Sequence, residues 1–139
     1  MKMKIIYLCG PINGRTNDEC KSWRHTIKYG LSTQYEFIDP MRNDYRGREG
    51  EYFSDIVHSD KTDVENADII LAMAQNPSWG TAMEIFYAHS LNKPVVGICD
   101  KKTPSPWILY HCGIILKTVE DAITYLRDTA KYEWVNGKQ

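Results

Sequence analysis

Residues 67–99 read ADIILAMAQNPSWGTAMEIFYAHSLNKPVVGIC, and this stretch decides the fold class. The apolar run at residues 68–73 predicts a buried strand, which ends before the turn residues Asn76-Pro77-Ser78. Residues 80–91 are predicted to form a helix, and residues 94–99 form a second apolar run. A strand, a helix and a further strand in this order are typical of a β-α-β unit in a parallel sheet.

The same alternation of apolar runs and helix-period segments continues on both sides of this unit. Strands are predicted at residues 4–9, 35–38 and 114–116, helices at about 17–31, 54–66 and 119–130, and loops at 41–51 and 103–106. Five strands with intervening helices predict an α/β fold: a flavodoxin-like or Rossmann-like sandwich with an about five-stranded parallel sheet and helices on both faces. In such folds, ligands bind at the carboxyl ends of the strands.

Length and composition indicate one ordered domain. The chain has 139 residues, of which 42% are hydrophobic and 25% charged, so a single domain over residues 1–139 is expected, with a flexible tail at 132–139. Its 17 basic and 18 acidic residues give a net charge of -1, which predicts neither a nucleic acid polymer nor a membrane as partner. The apolar runs are too short for a membrane span or a signal peptide, so a cytoplasmic protein is expected.

The cysteines and histidines predict neither a disulfide framework nor a metal site. Cys9 and Cys99 lie in apolar runs, and Cys20 and Cys112 form no C-x-x-C pair with them, so buried free thiols are expected. The four histidines show no metal-ligand spacing, and no metal or organic cofactor is implied.

Glu84 breaks the apolar pattern of the central unit, because it is the only Asp, Glu, Lys or Arg between residues 69 and 92. A carboxylate in such surroundings is partly desolvated and is rarely buried without a partner or a task. The alternative is that Glu84 lies on the outer face of its helix, opposite a core stripe of Ala82, Ile85, Phe86 and His89.

Two aspartates fall on the apolar face of the preceding helix. Asp60 and Asp63 follow Ile56 by four and seven residues, and the same face continues to Val64. Carboxylates on a core-facing stripe need a partner or lie at an edge that faces a cleft. The alternative is a shorter helix on which both aspartates are solvated.

Glycine turns follow two of the predicted strands. Residues 10–15, GPINGR, and residues 77–81, PSWGT, each lead into a helix, so their amides could bind an anion. Neither segment matches a nucleotide-binding fingerprint, and a plain turn or a helix cap at Ser78 or Thr81 is the alternative.

Two further clusters contain residues that could bind a ligand or a partner. Arg42 and Tyr45 belong to a basic loop that could stack on a base or bind a phosphate, or could simply be solvated. Trp107, Tyr110 and His111 fit packing or a subunit contact better than catalysis.

Taken together, these segments resemble the nucleoside 2-deoxyribosyltransferase family. The resemblance rests on IYLCGP at 6–11, on Asp60 followed by Ala67-Asp68, and on GTAME at 80–84 continuing to KPVV at 93–96. It covers most of residues 4–99, and the combination in this order is specific although each piece alone is not. The parallel sheet between helices that it implies agrees with the fold predicted above.

The resemblance implies three catalytic residues. Glu84 matches the nucleophile that attacks the sugar C1′, Asp60 matches the carboxyl group that handles the proton of the departing base, and Tyr7 matches a tyrosine that orients the nucleophile. Retaining glycoside chemistry also calls for one nucleophilic and one proton-managing carboxyl group. Asp63 has no family role, so the choice between the two aspartates stays open.

One residue differs from the pattern of the family and indicates a particular branch of it. Members that act on free nucleosides carry an aspartate six residues before the nucleophile, where this chain has Ser78. The stretch QNPSWG at 75–80 resembles instead the branch that hydrolyses 2′-deoxynucleoside 5′-monophosphates, in which a serine and glycine amides hold the phosphate. That branch often has arginine at the position of Asn13. The substrate-binding residues expected on this basis and from the clusters above are Gly10, Ile12, Asn13, Gly14, Arg42, Tyr45, Ser78 and Gly80.

The sequence therefore predicts an enzyme that cleaves the N-glycosidic bond of a 2′-deoxynucleoside 5′-monophosphate or a 2′-deoxynucleoside. The covalent intermediate on Glu84 would pass to water, which we favour, or to a second base. The alternatives are a non-catalytic nucleotide-binding sensor on the same fold and a flavin carrier.

A homodimer or larger homo-oligomer is also expected. Met83, Tyr87 and Leu91 give the helix at 80–91 a second apolar face, which a partner subunit would cover. The resemblance implies that a neighbouring subunit completes each site, and Ser105 and His111 are the candidates for that role.

Overall fold

Five short strands form one parallel sheet. In the computed structural model, which describes residues 2–130, they are β1 (Lys4–Cys9), β2 (Tyr35–Ile38), β3 (Ile69–Met73), β4 (Val95–Ile98) and β5 (Ile114–Leu116). The helices are α1 (Asn17–Leu31), α2 (Phe53–Asn66), α3 (Trp79–Ser90), α4 (Pro106–His111) and α5 (Val119–Thr129), with one turn of 3-10 helix at Pro40–Arg42. The strand order β2-β1-β3-β4-β5 with every neighbour parallel is the flavodoxin-like arrangement, which confirms the predicted fold.

Helices cover both faces of the sheet because successive side chains of each strand point to opposite faces. Ile6 and Leu8 of β1 pack with Ile27 of α1 and Leu126 of α5. The other face of β1, with Tyr7, packs with α2 and α3. Strands buried on both faces are continuous apolar runs, which is why they were predicted to within a residue or two at their ends.

The short helix α4 was not predicted. It has six residues, too few to establish a helical period, and only Ser105 and Pro106 mark its start.

The predicted flexible tail at 132–139 lies outside the described residues. All four cysteines are buried free thiols, as predicted. None of the helices within residues 2–130 is long and apolar enough to cross a membrane.

The chain changes direction in the sheet between β1 and β3, which lie side by side. It leaves β1 toward β2 on one side and returns to β3 on the other, so the connections diverge and open a crevice at the carboxyl ends of these strands. The turn after β1 and the loop after β3 therefore both border the crevice.

A fully buried arginine fixes the end of β1. The Arg24 guanidinium donates from Nε to the Leu8 carbonyl at 3.2 Å and from Nη2 to the Gly10 carbonyl at 3.1 Å. A Cβ atom at position 10 would lie 2.7 Å from the Trp23 ring, so only glycine fits there. Together these contacts hold the first turn of the crevice in one place.

Candidate active site

The crevice contains a cavity of about 260 Å³ at the carboxyl ends of β1 and β3. Most of the predicted site residues line it, from four different segments of the chain. They are Gly10, Ile12, Asn13, Arg42, Tyr45, Asp60, Ser78, Gly80 and Glu84. The topology thus brings together the two glycine turns, the basic loop and two of the three predicted catalytic residues.

Tyr7 lies beneath this cavity and contacts it through Glu84. Its side chain is buried on the face of β1 that packs against α2 and α3, and its hydroxyl donates a hydrogen bond to Oε2 of Glu84. Burial raises the pKa of the Tyr7 hydroxyl well above its usual value, and the charge of Glu84 raises it further. Tyr7 is therefore held as a neutral hydrogen-bond donor to the carboxylate.

Glu84 lies on the inner side of α3. The buried positions of that helix are Thr81, Ile85 and Ala88, and Glu84 is partly buried beside them. The alternative core stripe is wrong, because Ala82, Phe86 and His89 are exposed. Burial raises the pKa of Glu84 to about 8, and the negative charge of Asp60 contributes to the shift.

The two aspartates on α2 have different surroundings. Asp63 is buried and accepts two hydrogen bonds from the Arg42 guanidinium, at 2.9 Å each. This bidentate pair neutralises Asp63 and fixes Arg42, which also donates to the Asp39 carbonyl at 3.1 Å. The alternative of a short helix with solvated aspartates is therefore wrong.

Asp60 lines the cavity and is partly buried, yet no described residue donates a hydrogen bond to it. Burial raises its pKa to about 6, and the neighbouring charge of Asp63 adds to the shift. A carboxyl group with this pKa can exchange a proton near neutral pH, whereas Asp63 is fixed by its partner. The free carboxyl group of the pair is thus Asp60.

Ser78 caps the N-terminus of α3 and lines the cavity. Its hydroxyl accepts hydrogen bonds from the amide of Thr81 at 3.5 Å and from the Thr81 hydroxyl at 3.1 Å. Gly80 is in the first turn, where backbone amides have no partner within the helix. Ile12 and Asn13 border the same cavity, and their turn closes through a hydrogen bond from the Arg15 amide to the Ile12 carbonyl at 3.1 Å.

Besides Tyr7, three of the predicted site residues do not line the cavity within one chain. Gly14 occupies the turn with φ of 72° but lies outside the lining. Ser105 caps α4, accepting from the Trp107 amide at 3.2 Å, and borders a neighbouring cavity of about 490 Å³ that also contacts Ser78. His111 is buried and stacks on Trp107 with ring centroids 5.7 Å apart. The contribution of Ser105 and His111 to a neighbouring subunit's site stays a prediction.

Sequence reasoning missed part of the cavity wall. Phe53 and Val57 line it from α2, where they are exposed, and Glu49 lines it from the loop before that helix. An exposed apolar pair four residues apart was a visible signal for the first two. Nothing in the sequence singled out Glu49. Within residues 2–130 there is no group of three or more potential ligands arranged to hold a metal ion.

The family model for nucleoside 2-deoxyribosyltransferases matches residues 6–129. The chain belongs to this family. It is thus an enzyme of the deoxyribosyltransferase or N-glycosidase type, which acts on small nucleosides or nucleotides. This membership favours the predicted enzyme over the non-catalytic sensor and the flavin carrier.

Individual proteins are similar to this chain in sequence or in fold. An uncharacterized protein, YtoQ from Bacillus subtilis, is 28% identical over 90% of this chain and 97% of its own length. The 2-deoxyribosyltransferase from Bacillus psychrosaccharolyticus has the same fold, with a TM-score of 0.70 at 18% identity over 91% of this chain and 95% of that one. The CMP N-glycosidase BcmB from Clostridium botulinum has a TM-score of 0.60 at 16% identity over 89% and 99%.

The raised pKa of Glu84 makes the stability of the protein depend on pH. The folded state binds the proton of Glu84 more tightly than the unfolded state does. The resulting contribution to the free energy of unfolding is therefore complete below about pH 4.5, and it is lost as the pH rises through about 8. We expect Glu84→Gln, which removes the charge, to raise Tm relative to wild type at about pH 8.5 by more than at about pH 5.

Thermal unfolding of both proteins at the two pH values measures this difference. Glu120→Gln is the matched control, because that exposed carboxylate lies on the other side of the sheet. A Glu84→Gln difference that does not grow with pH would show that the carboxyl group of Glu84 has an ordinary pKa.

Proposed function

We propose that the protein hydrolyses the N-glycosidic bond of 2′-deoxynucleoside 5′-monophosphates through a covalent intermediate on Glu84. The observation that carries the proposal is the arrangement around Glu84: Tyr7 donates to its carboxylate, and the unpaired Asp60 lies in the same cavity. Two carboxyl groups in different environments are what a double displacement at a sugar carbon requires.

In the first step, a carboxylate oxygen of Glu84 attacks C1′ while the bond from C1′ to the base nitrogen breaks. Asp60, protonated, donates its proton to the departing base. In the second step, water attacks C1′, Asp60 accepts the proton of that water, and the bond between C1′ and Glu84 breaks. The products are the free base and 2-deoxyribose 5-phosphate, and both carboxyl groups return to their starting states.

The electrostatics of the cavity support this division of roles. Burial raises the pKa of both Glu84 and Asp60, and the negative charge of Asp60 raises the pKa of Glu84 further, so the two groups share one proton near neutral pH. Without substrate, the higher pKa of Glu84 keeps that proton on Glu84. In the reactive form, Asp60 is protonated and Glu84 is ionised. Substrate favours this form in two ways: a base nitrogen accepts a hydrogen bond from Asp60, and positive charge develops at C1′ beside Glu84.

The end of the cavity at Ser78 supports a phosphate as the second anchor of the substrate. Ser78 has a hydroxyl where nucleoside-specific members of the family carry a carboxylate, and the amide of Gly80 is in the first turn of α3. The positive end of the helix dipole and unpaired amides favour an anion there, whereas a carboxylate would repel it.

An exposed apolar face supports a homodimer. Trp79 is 90% exposed and Phe86 is 56% exposed on α3, and Trp107 and Tyr110 continue the surface on α4. The predicted face was partly wrong: Met83 is exposed, but Tyr87 packs toward α2 and donates to Glu65. We propose that a second copy of the chain covers this α3–α4 face.

Glu84→Gln should abolish turnover, because an amide cannot form the covalent intermediate. Mass spectrometry should find a deoxyribosyl adduct on wild type incubated with a 2-fluorinated, slowly hydrolysed substrate, and none on Glu84→Gln. Glu120→Gln should behave as wild type. More than a few per cent of wild-type activity in Glu84→Gln would remove Glu84 from the nucleophile role.

Wild type should show a large ratio of kcat/KM for a deoxynucleoside 5′-monophosphate over the free deoxynucleoside. Two charge-assisted hydrogen bonds to phosphate, at about 1.5–3 kcal/mol each, contribute roughly 3–6 kcal/mol before binding costs. Ser78→Ala should lower this ratio, and Ser78→Asp should lower it further by charge repulsion.

The control for Ser78→Ala is Thr118→Ala, because Thr118 caps α5 on the other side of the sheet by accepting from the Asp121 amide at 3.0 Å. Both variants lose a helix cap, which costs about 1 kcal/mol of stability. Equal kcat/KM for the two substrates in wild type would contradict the phosphate site and favour a nucleoside transferase. A free base added as second acceptor would then yield a new nucleoside.

Light scattering at micromolar concentration should give about twice the chain mass of 16.1 kDa for wild type. Phe86→Glu should give a monomer, because it places a charge in the proposed interface. Tyr29→Glu is the control, since Tyr29 is an exposed aromatic residue on α1, on the other side of the sheet. An active wild-type monomer would contradict the dimer.

A further inference from the structure

A buried carboxylate oxygen in the cavity wall has no hydrogen-bond partner among residues 2–130. Glu49 lines the cavity, and its Oε2 atom is buried without accepting a hydrogen bond from any described residue. Its other oxygen, Oε1, accepts from the Gly47 amide at 2.8 Å. A buried acceptor without a donor is costly, so such an atom in a binding cavity indicates a hydrogen bond that a ligand completes.

The position of Glu49 is set by the loop that carries it. Gly47 adopts φ of 85°, a left-handed conformation that suits glycine, and its amide holds the carboxylate. The neighbouring Arg46 fixes the loop to α1 and to the segment before it: it donates to the Arg15 carbonyl at 3.0 Å and to Asn17 Oδ1 at 2.5 Å. All of its remaining N–H groups are used on Asp44 and Cys20, so Arg46 braces the loop rather than binding substrate.

The base of the substrate is the group that this loop would meet. The sugar must lie at Glu84 and the scissile nitrogen at Asp60, so the base extends toward the wall formed by the loop and the start of α2. That wall contains the rings of Tyr45 and Phe53, which suit a planar base, and the carboxylate of Glu49.

We infer that Glu49 is a specificity-determining residue that accepts a hydrogen bond from the exocyclic amino group of cytosine or adenine. A carboxylate accepts hydrogen bonds, so its partner must carry an N–H or O–H group, and at the edge of a nucleobase that group is an N–H. The amino group at C4 of cytosine or C6 of adenine supplies one at the edge of the ring, and a carboxylate is a suitable acceptor for it. This inference rests on the proposed function, because it places the base by the cleavage site.

The corresponding bases without an amino group should be poorer substrates. Uracil and hypoxanthine carry a carbonyl oxygen at these positions, which would face Glu49 as a second acceptor and leave both oxygens unpaired. A lost hydrogen bond to a charged group corresponds to about a 10- to 100-fold decrease in kcat/KM.

The experiment compares two matched substrate pairs, dCMP with dUMP and dAMP with dIMP. Wild type should prefer the amino-bearing member of at least one pair by about 10-fold or more. Glu49→Gln should remove or reverse that preference, because the amide can turn its N–H toward the carbonyl. Glu51→Gln is the control on the same loop, since Glu51 is exposed, pairs with Arg48 and does not line the cavity.

Binding to Glu84→Gln, measured by calorimetry with the same four nucleotides, separates this inference from the proposed function. Absence of turnover with every nucleotide would overturn the proposed function, while the binding preference would still test Glu49. A wild-type preference for dUMP and dIMP, no preference in either pair, or a preference that survives Glu49→Gln would overturn the inference. So would a failure of all four nucleotides to bind.

Discussion

The hydrogen bond from Tyr7 to Glu84 joins the first strand to the third helix across 77 positions of sequence, and the site depends on it. It requires that Tyr7 point to the face of the sheet covered by α2 and α3, which the alternation of side chains along β1 determines. A slip of one residue would put Ile6 or Leu8 there instead. The pairing of Tyr7 with Ile70 of β3, the strand that leads to α3, therefore also positions Tyr7 for its hydrogen bond to Glu84.

The same burial that stabilises the fold raises the pKa of the two carboxyl groups that we propose as catalytic. Glu84 lies in an otherwise apolar unit and Asp60 lies without a hydrogen-bond partner among the described residues, so both lose solvation that a charged group needs. The buried guanidinium of Arg24 acts in the opposite direction and lowers the pKa of both. Arg24 also holds the end of β1 through the carbonyls of Leu8 and Gly10, so one side chain supports both the shape and the charge balance of the crevice.

The sequence predicted the features that follow a repeating pattern or break it locally. It missed the features that depend on contacts between residues far apart in the chain. The three central strands, β1, β3 and β4, were visible because they are largely buried on both faces, and Glu84 was visible as a lone charge in an apolar stretch. The choice between Asp60 and Asp63 could not be made, because it depends on the pairing of Asp63 with Arg42, 21 residues earlier in the chain. Helix α4 was too short to show a period, and the partnerless oxygen of Glu49 is a property of the packed loop that no local pattern reveals.

Double displacement at C1′ retains the anomeric configuration of the substrate, whereas a single displacement inverts it. The most direct measurement is methanolysis: the protein is incubated with a 2′-deoxynucleoside 5′-monophosphate in buffer that contains methanol, and the anomeric configuration of the methyl glycoside is read by proton NMR. Attack by Glu84 followed by attack of methanol inverts C1′ twice, so the product should be the methyl β-2-deoxyribofuranoside 5-phosphate, with the configuration of the substrate. Formation of the α-anomer alone would show a single direct displacement and would contradict a covalent intermediate on Glu84.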